Sequence, residues 1–242
     1  MAPLTVDDEV RLRSFADLHQ IEWWLQPKGP DSAYPFHPTE SQLQYELPEF
    51  GVRIRFRPTD FTQVNHQINQ VLVRRALQLL QPTATDRIAD LFCGIGNFTL
   101  PLATCAAQVV GIEGSEALVE CARCNGLENG LADKLTFDAR NLFEMTPAEW
   151  VALGKFDRVL IDPPRDGAAA ICQSLADLPE GDRHLRPKRI VYVSCNPATL
   201  ARDAGTLVQQ ASYGLSKAGV VNMFPHTAHV ESIAVFDLLP LS

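Results

Sequence analysis

Beyond residue 60 the chain alternates two apolar patterns. From Thr62 to Leu80, Val64, Ile68, Val71, Leu72 and Leu79 recur at helical spacing and predict one amphipathic helix. Short apolar runs then predict strands over Arg87–Cys93, Gln108–Ile112, Leu135–Asp138, Phe156–Ile161 and Arg189–Val193. Between them, helical periodicity begins near Asn97 and runs over Ser115–Asn129, Ala168–Leu178 and Thr199–Gln209. The tail adds two strands, Leu215–Met223 and Ser232–Leu238. Repeated strand–helix alternation predicts an α/β domain, with a parallel sheet and helices on both faces. No internal repeat or low-complexity tract interrupts it.

The first 60 residues read differently. Leu25–Pro30 and Pro35–Pro38 are turn-rich, and two strand-like runs follow, Gln42–Leu47 and Gly51–Arg57. In the second run Arg53, Arg55 and Arg57 alternate with Val52, Ile54 and Phe56. Three arginines on one strand face suit phosphates or plain solvent equally well. The expected organisation is a short β-rich flanking segment, residues 1–60, ahead of a main domain over 61–242.

Charge and composition narrow the classes. Lys and Arg number 21 against 29 Asp and Glu, a net charge of −8, which excludes a nucleic-acid binder held by bulk charge. A nucleic-acid enzyme with a local basic face stays open. Six cysteines in 242 residues are too few for a disulfide scaffold. The opening residues are acidic and broken by Arg11 and Arg13, unlike a signal peptide. The most apolar stretch, Ile88–Ile112, holds Asp90, Asn97 and Pro101, which a membrane span of ~20 apolar residues would not. A cytoplasmic protein with reduced thiols is expected.

In open α/β sheets ligands bind beyond the C-terminal strand ends, and that is where the polar residues fall. Gly94-Ile-Gly96-Asn97 follows the first strand and Glu113 ends the second. A glycine turn admits a ligand close to the backbone, and an acid on the next strand can hold ribose hydroxyls, so the pair fits an adenosine-containing cofactor. No third glycine completes the dinucleotide fingerprint. Asp162-Pro-Pro-Arg165 ends the fourth strand and Ser194-Cys195-Asn-Pro197 the fifth. Cys93, Cys105 and Cys172 read as inert thiols, whereas Cys195 emerges at the ligand edge. Cys121-Ala-Arg-Cys124 and His226/His229 are weak metal cues without a completing cluster, so no metal is expected.

Five motifs in order resemble the RNA 5-methyluridine methyltransferases. They are Phe61-Thr-Gln-Val-Asn65, Asp90-Leu-Phe-Cys-Gly-Ile-Gly-Asn-Phe-Thr99, Asp162-Pro-Pro-Arg-Asp-Gly-Ala168, Val193-Ser-Cys-Asn-Pro-Ala-Thr-Leu-Ala-Arg-Asp203 and Phe224-Pro-His-Thr-Ala-His-Val-Glu231. The resemblance covers roughly Gln26 to the C-terminus, and Leu25-Gln-Pro-Lys-Gly-Pro-Asp31 is similar to the branch acting on uracil-1939 of bacterial 23S rRNA. It implies a class I, Rossmann-like methyltransferase fold with a mixed sheet, S-adenosylmethionine (SAM) as cofactor and 23S rRNA as partner. No obligate protein partner is expected. It implies Cys195 as nucleophile and Glu231 as general base, with Gln63, Phe92, Asn97, Glu113, Asn141 and Asp162 lining the SAM and uracil pocket. Another rRNA or tRNA uracil, a weak SAM- and RNA-binding fragment, or a small-molecule enzyme on the same fold are the alternatives.

The resemblance also implies an RNA-binding β-barrel and a 4Fe-4S segment ahead of the catalytic domain. A cluster needs closely spaced thiolates, and no cysteine precedes Cys93. An excised catalytic domain or a natural truncation is expected. The acidic balance then follows from a basic RNA surface lying elsewhere. Asp166 stands where the family has small residues.

Overall fold

The computed structural model describes residues 3–227 and 229–240. Two compact units emerge. One runs to Tyr45 and resumes over Arg55–Thr62; the other holds Glu46–Ile54 and everything from Gln63 onward. Residues 46–54, which the sequence groups with the flanking segment, thus cluster with the larger unit.

The smaller unit opens with a helix that the periodicity missed, α1 (Val6–His19), capped by a reciprocal Thr5–Asp8 box. Its Val6, Val10, Phe15 and Leu18 are exposed and only Ala16 is buried, so no apolar stripe marks it. Next come β1 (Trp23–Leu25) and β2 (Tyr34–His37), paired antiparallel. The prolines at 35 and 38 read as a turn, but Pro35 is tolerated in a two-stranded ladder where its missing N–H costs little. Then β3 (Gln44–Leu47) and β4 (Val52–Arg55) form a second small sheet. Val52 and Ile54 are buried while Arg53 is exposed, as the alternation predicts. The Arg53 guanidinium meets Glu46 at 3.3 Å. Its backbone N–H and C=O both bond the Asn129 amide, at 2.8 and 2.6 Å.

In the larger unit, α2 spans His66–Leu80 and starts at the Asn65 cap, whose side chain accepts from the Ile68 N–H. The expected helix over Thr62–Leu80 is therefore too long at its start. Val64 and Val71, counted in its apolar stripe, are 80% and 46% exposed. Seven strands follow: β5 (Arg87–Leu91), β6 (Gln108–Glu113), β7 (Leu135–Ala139), β8 (Arg158–Ile161), β9 (Arg189–Ser194), β10 (Tyr213–Val221) and β11 (Glu231–Leu238). The helices between them are α3 (Thr99–Cys105), α4 (Glu116–Glu128), α5 (Pro147–Leu153), α6 (Ala169–Ala176) and α7 (Pro197–Gln209). α5 was not predicted, although Thr146-Pro-Ala-Glu149 forms a capping box with proline at the first turn.

Strand order is β10-β11-β9-β8-β5-β6-β7. The five strands from β9 to β7 are parallel, while β11 runs antiparallel to both β9 and β10. The sheet is mixed, as the family resemblance implied, where strand–helix alternation alone read it as parallel. Side chains alternate across the pleat. Ala89, Leu91, Val159, Ile161, Ile190, Tyr192, Ala234 and Phe236 bury into one cluster with Trp150, Ile171, Leu175 and Leu207 of α5, α6 and α7. Ile88, Leu160, Val191, Val193, Ile233 and Val235 are buried on the opposite side, where α2 packs against β8, β9 and β11. Among the described residues no helix is long and apolar enough to cross a membrane.

Candidate active site

β5 ends at Leu91, short of the expected Cys93, because the chain turns there. Phe92 adopts a left-handed φ of 64°, and the Phe92 and Cys93 N–H groups both reach the Ile112 carbonyl. The loop then doubles back through Gly96, whose φ is 99° and whose Cβ would strike Leu100 at 2.3 Å. This tight passage brings the Gly94 N–H to the Glu113 carboxylate at 3.2 Å, while the other oxygen accepts the Ser115 N–H at 3.1 Å. Glu113 is thereby fixed beside the glycine turn. Asn97 exchanges two hydrogen bonds with Asn69 of α2, at 2.9 and 3.1 Å. Asn141 caps the turn after β7 by accepting from the Phe143 N–H, and the Phe143 ring lies 5.4 Å from that of Phe92.

The other half of the edge carries the reactive groups. β9 and β11 pair Ser194 with Ser232. Continuing that antiparallel register by one residue sets Cys195 opposite Glu231. Asp162 follows β8, next to β9, and its N–H bonds the Leu91 carbonyl. Glu231 is 2% exposed. Burial first, and the charge of Asp162 second, push its pKa up to about 7. Burial likewise pushes Asp162 up to about 7. Asp90, fully buried and hydrogen-bonded by Thr99 at 2.5 Å, also rises to about 7, through burial and then the charges of Asp162 and Glu113. The half-buried Cys195 thiol is held above its ordinary value by burial, Glu231 and Asp162, and Arg165 opposes that rise. Arg165 gives the thiol a positive partner, but burial and two carboxylates outweigh it.

Gln63 lies just before α2. Its Oε1 is buried with no hydrogen-bond partner, and among the described residues no hydrogen bond joins it to the other candidate residues. Cys121 and Cys124 lie on α4 with Cys124 exposed, and His229 meets Arg165 at 3.2 Å. Among the described residues no group of three or more His, Cys, Asp or Glu can hold a metal ion. The cysteines described therefore do not fit an iron–sulfur cluster.

Residues 42–237 match the tRNA (Uracil-5-)-methyltransferase family. The chain belongs to that family. It is 64% identical over 237 residues to the 23S rRNA (uracil(1939)-C(5))-methyltransferase RlmD of Cupriavidus metallidurans, covering 98% of this chain and 51% of that protein. It is 62% identical over 240 residues to RlmD of Ralstonia pickettii, covering 98% of this chain and 53% of that protein. The chain thus spans about half the length of these curated relatives. Among solved structures it resembles the Pyrococcus abyssi tRNA (uracil-54, C5)-methyltransferase in complex with S-adenosyl-L-homocysteine. The TM-score is 0.65 and the identity 24%, over 96% of this chain and 67% of that one. This likeness establishes the Rossmann-like methyltransferase fold.

Within the family's frame, three features that sequence reasoning did not use gain meaning. Asn69 is a buried polar residue on the apolar side of α2, a poor helix former whose position there is a signal in itself. Phe143 sits two residues after Asn141 and closes on Phe92. Tyr192 and Asp203 form a buried 2.7 Å hydrogen bond behind the Asp162–Ala168 loop.

Proposed function

We propose that this chain is the methyl-transferring part of an enzyme acting at C5 of uracil-1939 in 23S rRNA, in the cytoplasm, with SAM as the methyl donor. The observation that carries it is the juxtaposition of Cys195 and Glu231 one residue past the end of the β9–β11 ladder, with Asp162 close enough to act on the thiol. High identity to RlmD relatives supports the rRNA target.

The residues present suit the cofactor. Glu113 is fixed next to a glycine turn and offers a carboxylate to ribose hydroxyls. Gln63 Oε1 and Asp90 Oδ1 are buried oxygens without partners, as expected where a polar ligand completes the hydrogen bonding. Phe92, Asn97 and Asn141 complete the set proposed to line the pocket. SAM supplies an electrophilic methyl group when bound.

Uracil C5 is a weak nucleophile. The Cys195 thiolate adds to C6, and the electron pair of the C5–C6 double bond moves toward C5 and O4. C5 would then take the methyl group from bound SAM, whose S–CH3 bond breaks to leave S-adenosylhomocysteine. Glu231 removes the remaining C5 proton, the C5–C6 double bond re-forms and the C6–S bond breaks, returning the thiolate. A carboxyl poised near neutrality suits that base. Uracil must be unpaired or flipped to reach the strand ends. The test is incubation with SAM and 5-fluorouridine RNA spanning the 1939 region. Fluorine cannot leave as a proton, so a stable adduct on the Cys195 peptide is expected. No adduct, or an adduct formed only with tRNA, overturns the rRNA reading.

A further inference from the structure

We propose that Arg202 and Asp203 are positioning residues that clamp the loop bearing Arg165 against the strand end bearing Cys195, and so set the thiol's reactivity. This rests on the reading of Cys195 as nucleophile. Three segments converge on the 1%-exposed Asp203 carboxylate. Its Oδ2 accepts from the Tyr192 hydroxyl of β9 at 2.7 Å and from the Ala168 N–H at 2.7 Å. Its Oδ1 accepts from Arg202 Nε at 2.8 Å. The Ala168 N–H also reaches the Tyr192 hydroxyl oxygen, at 3.0 Å. Arg202 in turn donates from Nη2 to the Asp166 carbonyl at 2.8 Å.

The preceding carbonyl is held as well. Arg165 C=O accepts from Asn196 Nδ2 at 3.0 Å and from Thr199 Oγ1 at 3.2 Å. Asn196 is the residue after Cys195 and caps α7. Every loop backbone group named is therefore tied to β9, to α7 or to the turn joining them. Gly167 lets the loop come this close. Its φ is 79°, and a Cβ there would meet Arg202 at 2.6 Å and Asp203 at 2.7 Å. The Tyr192–Asp203–Ala168 part of this network is buried, and a close-packed interior transmits a displacement instead of absorbing it.

The charged groups that act on Cys195 are Glu231 of β11, Asp162 after β8 and Arg165 of the clamped loop. Of these charges only Arg165 favours the thiolate, beside a backbone hydrogen bond at Cys195 itself, and its guanidinium is otherwise bonded to His229. The half-exposed Arg202 can be changed with little risk to folding, since its side chain is 49% exposed.

The test is the pH–rate profile of iodoacetamide alkylation, read peptide by peptide by mass spectrometry, with the exposed Cys105 and Cys124 as internal references. The probe needs neither RNA nor SAM, so its outcome is separate from whether the chain methylates rRNA. Arg165→Gln is expected to slow Cys195 alkylation at pH 7.5 by about threefold to tenfold, a shift of half to one unit. Arg202→Gln and Asp203→Asn should shift the Cys195 profile in the same direction and leave the references unmoved. Arg202→Lys, which keeps a donor for the Asp166 carbonyl, should recover part of the loss. The double variant Arg165→Gln/Arg202→Gln should be no slower than Arg165→Gln alone, because Arg202 acts through Arg165. An unchanged Cys195 profile in Arg202→Gln, or additive shifts in the double variant, overturns the proposal. An unchanged profile in Arg165→Gln overturns it too. If Asp203→Asn fails to fold, the two arginine variants decide alone.

Discussion

Glu113 on one half of the sheet edge and Asp162 and Glu231 on the other are held in opposite ways. On the β5–β6 side, Glu113 accepts two backbone N–H groups, and Asn97 is locked to Asn69 by a reciprocal pair of bonds. On the β8–β9–β11 side, Asp162 and Glu231 accept no hydrogen bond among the described residues, and both are pushed up to about 7. The first half pins its carboxylate in place with backbone donors, which binding needs. The second leaves groups whose protonation changes cheaply near neutral pH, which proton transfer needs. Under the proposed function, one fold edge thus separates a recognition side from a reaction side.

The sharpest test of that contrast is on the reaction side. Cys195→Ser is expected to abolish both the RNA adduct and the product. Glu231→Gln should cut turnover by about 10²- to 10⁴-fold while the methylated, cysteine-linked RNA accumulates as a slow band on a denaturing gel. Normal turnover without that band would remove Glu231 from the role of base.

The binding side should respond in affinity instead. Glu113→Ala loses a charged acceptor, and at about 1.5–3 kcal/mol for such a bond SAM affinity should fall about ten- to hundredfold by calorimetry. Unchanged affinity would dissolve the division between the two sides.

A smaller effect concerns pH. Buried Asp90 and Glu231 and half-buried Asp162 keep their protons in the folded chain up to about pH 7. Unfolded carboxyls release theirs near ~4. Between those values the native state binds more protons, so stability is full below ~4 and falls as pH rises toward 7. Glu231→Gln removes one such group. It should recover about 1–3 kcal/mol at pH 8 relative to pH 5, at about 1.4 kcal/mol per unit, seen as a smaller loss of melting temperature between the two.

The smallest effect tests the lock on the binding side. Asn97→Ala leaves the buried Asn69 amide unpaired and should cost about 1–2 kcal/mol of stability. Replacing both asparagines by alanine should cost less than twice that.

Much of this arrangement was legible before any coordinates. β6, α4 and β9 fall within a residue or two of their predicted spans because Val109, Ile112, Val119 and Ile190 follow one period without competition. Cys195, Glu113 and Asp162 were legible by position, since strand ends are where this fold places ligands. What stayed hidden has physical causes. α1 has no buried stripe to give a period. Val64 and Val71 fit the helical spacing yet face solvent, because burial depends on what packs against them. The reversal at β11 leaves no trace in hydrophobicity, since a buried strand reads alike in either direction. Asn69 pairs with Asn97 at a separation of 28 residues, which no local pattern encodes.

The reversed strand has a consequence in time as well as in space. β11 lies between β9 and β10, with antiparallel partners on both sides. Glu231 begins that strand, and its cross-strand neighbours near Cys195 lie over thirty residues earlier. Closing so long a loop is entropically late in folding. A chain emerging from the ribosome can therefore complete its glycine turn and the Glu113 contacts while Cys195 still lacks Glu231 opposite it. Under the proposed roles, cofactor recognition matures first, and turnover waits until the final hairpin slots into the sheet.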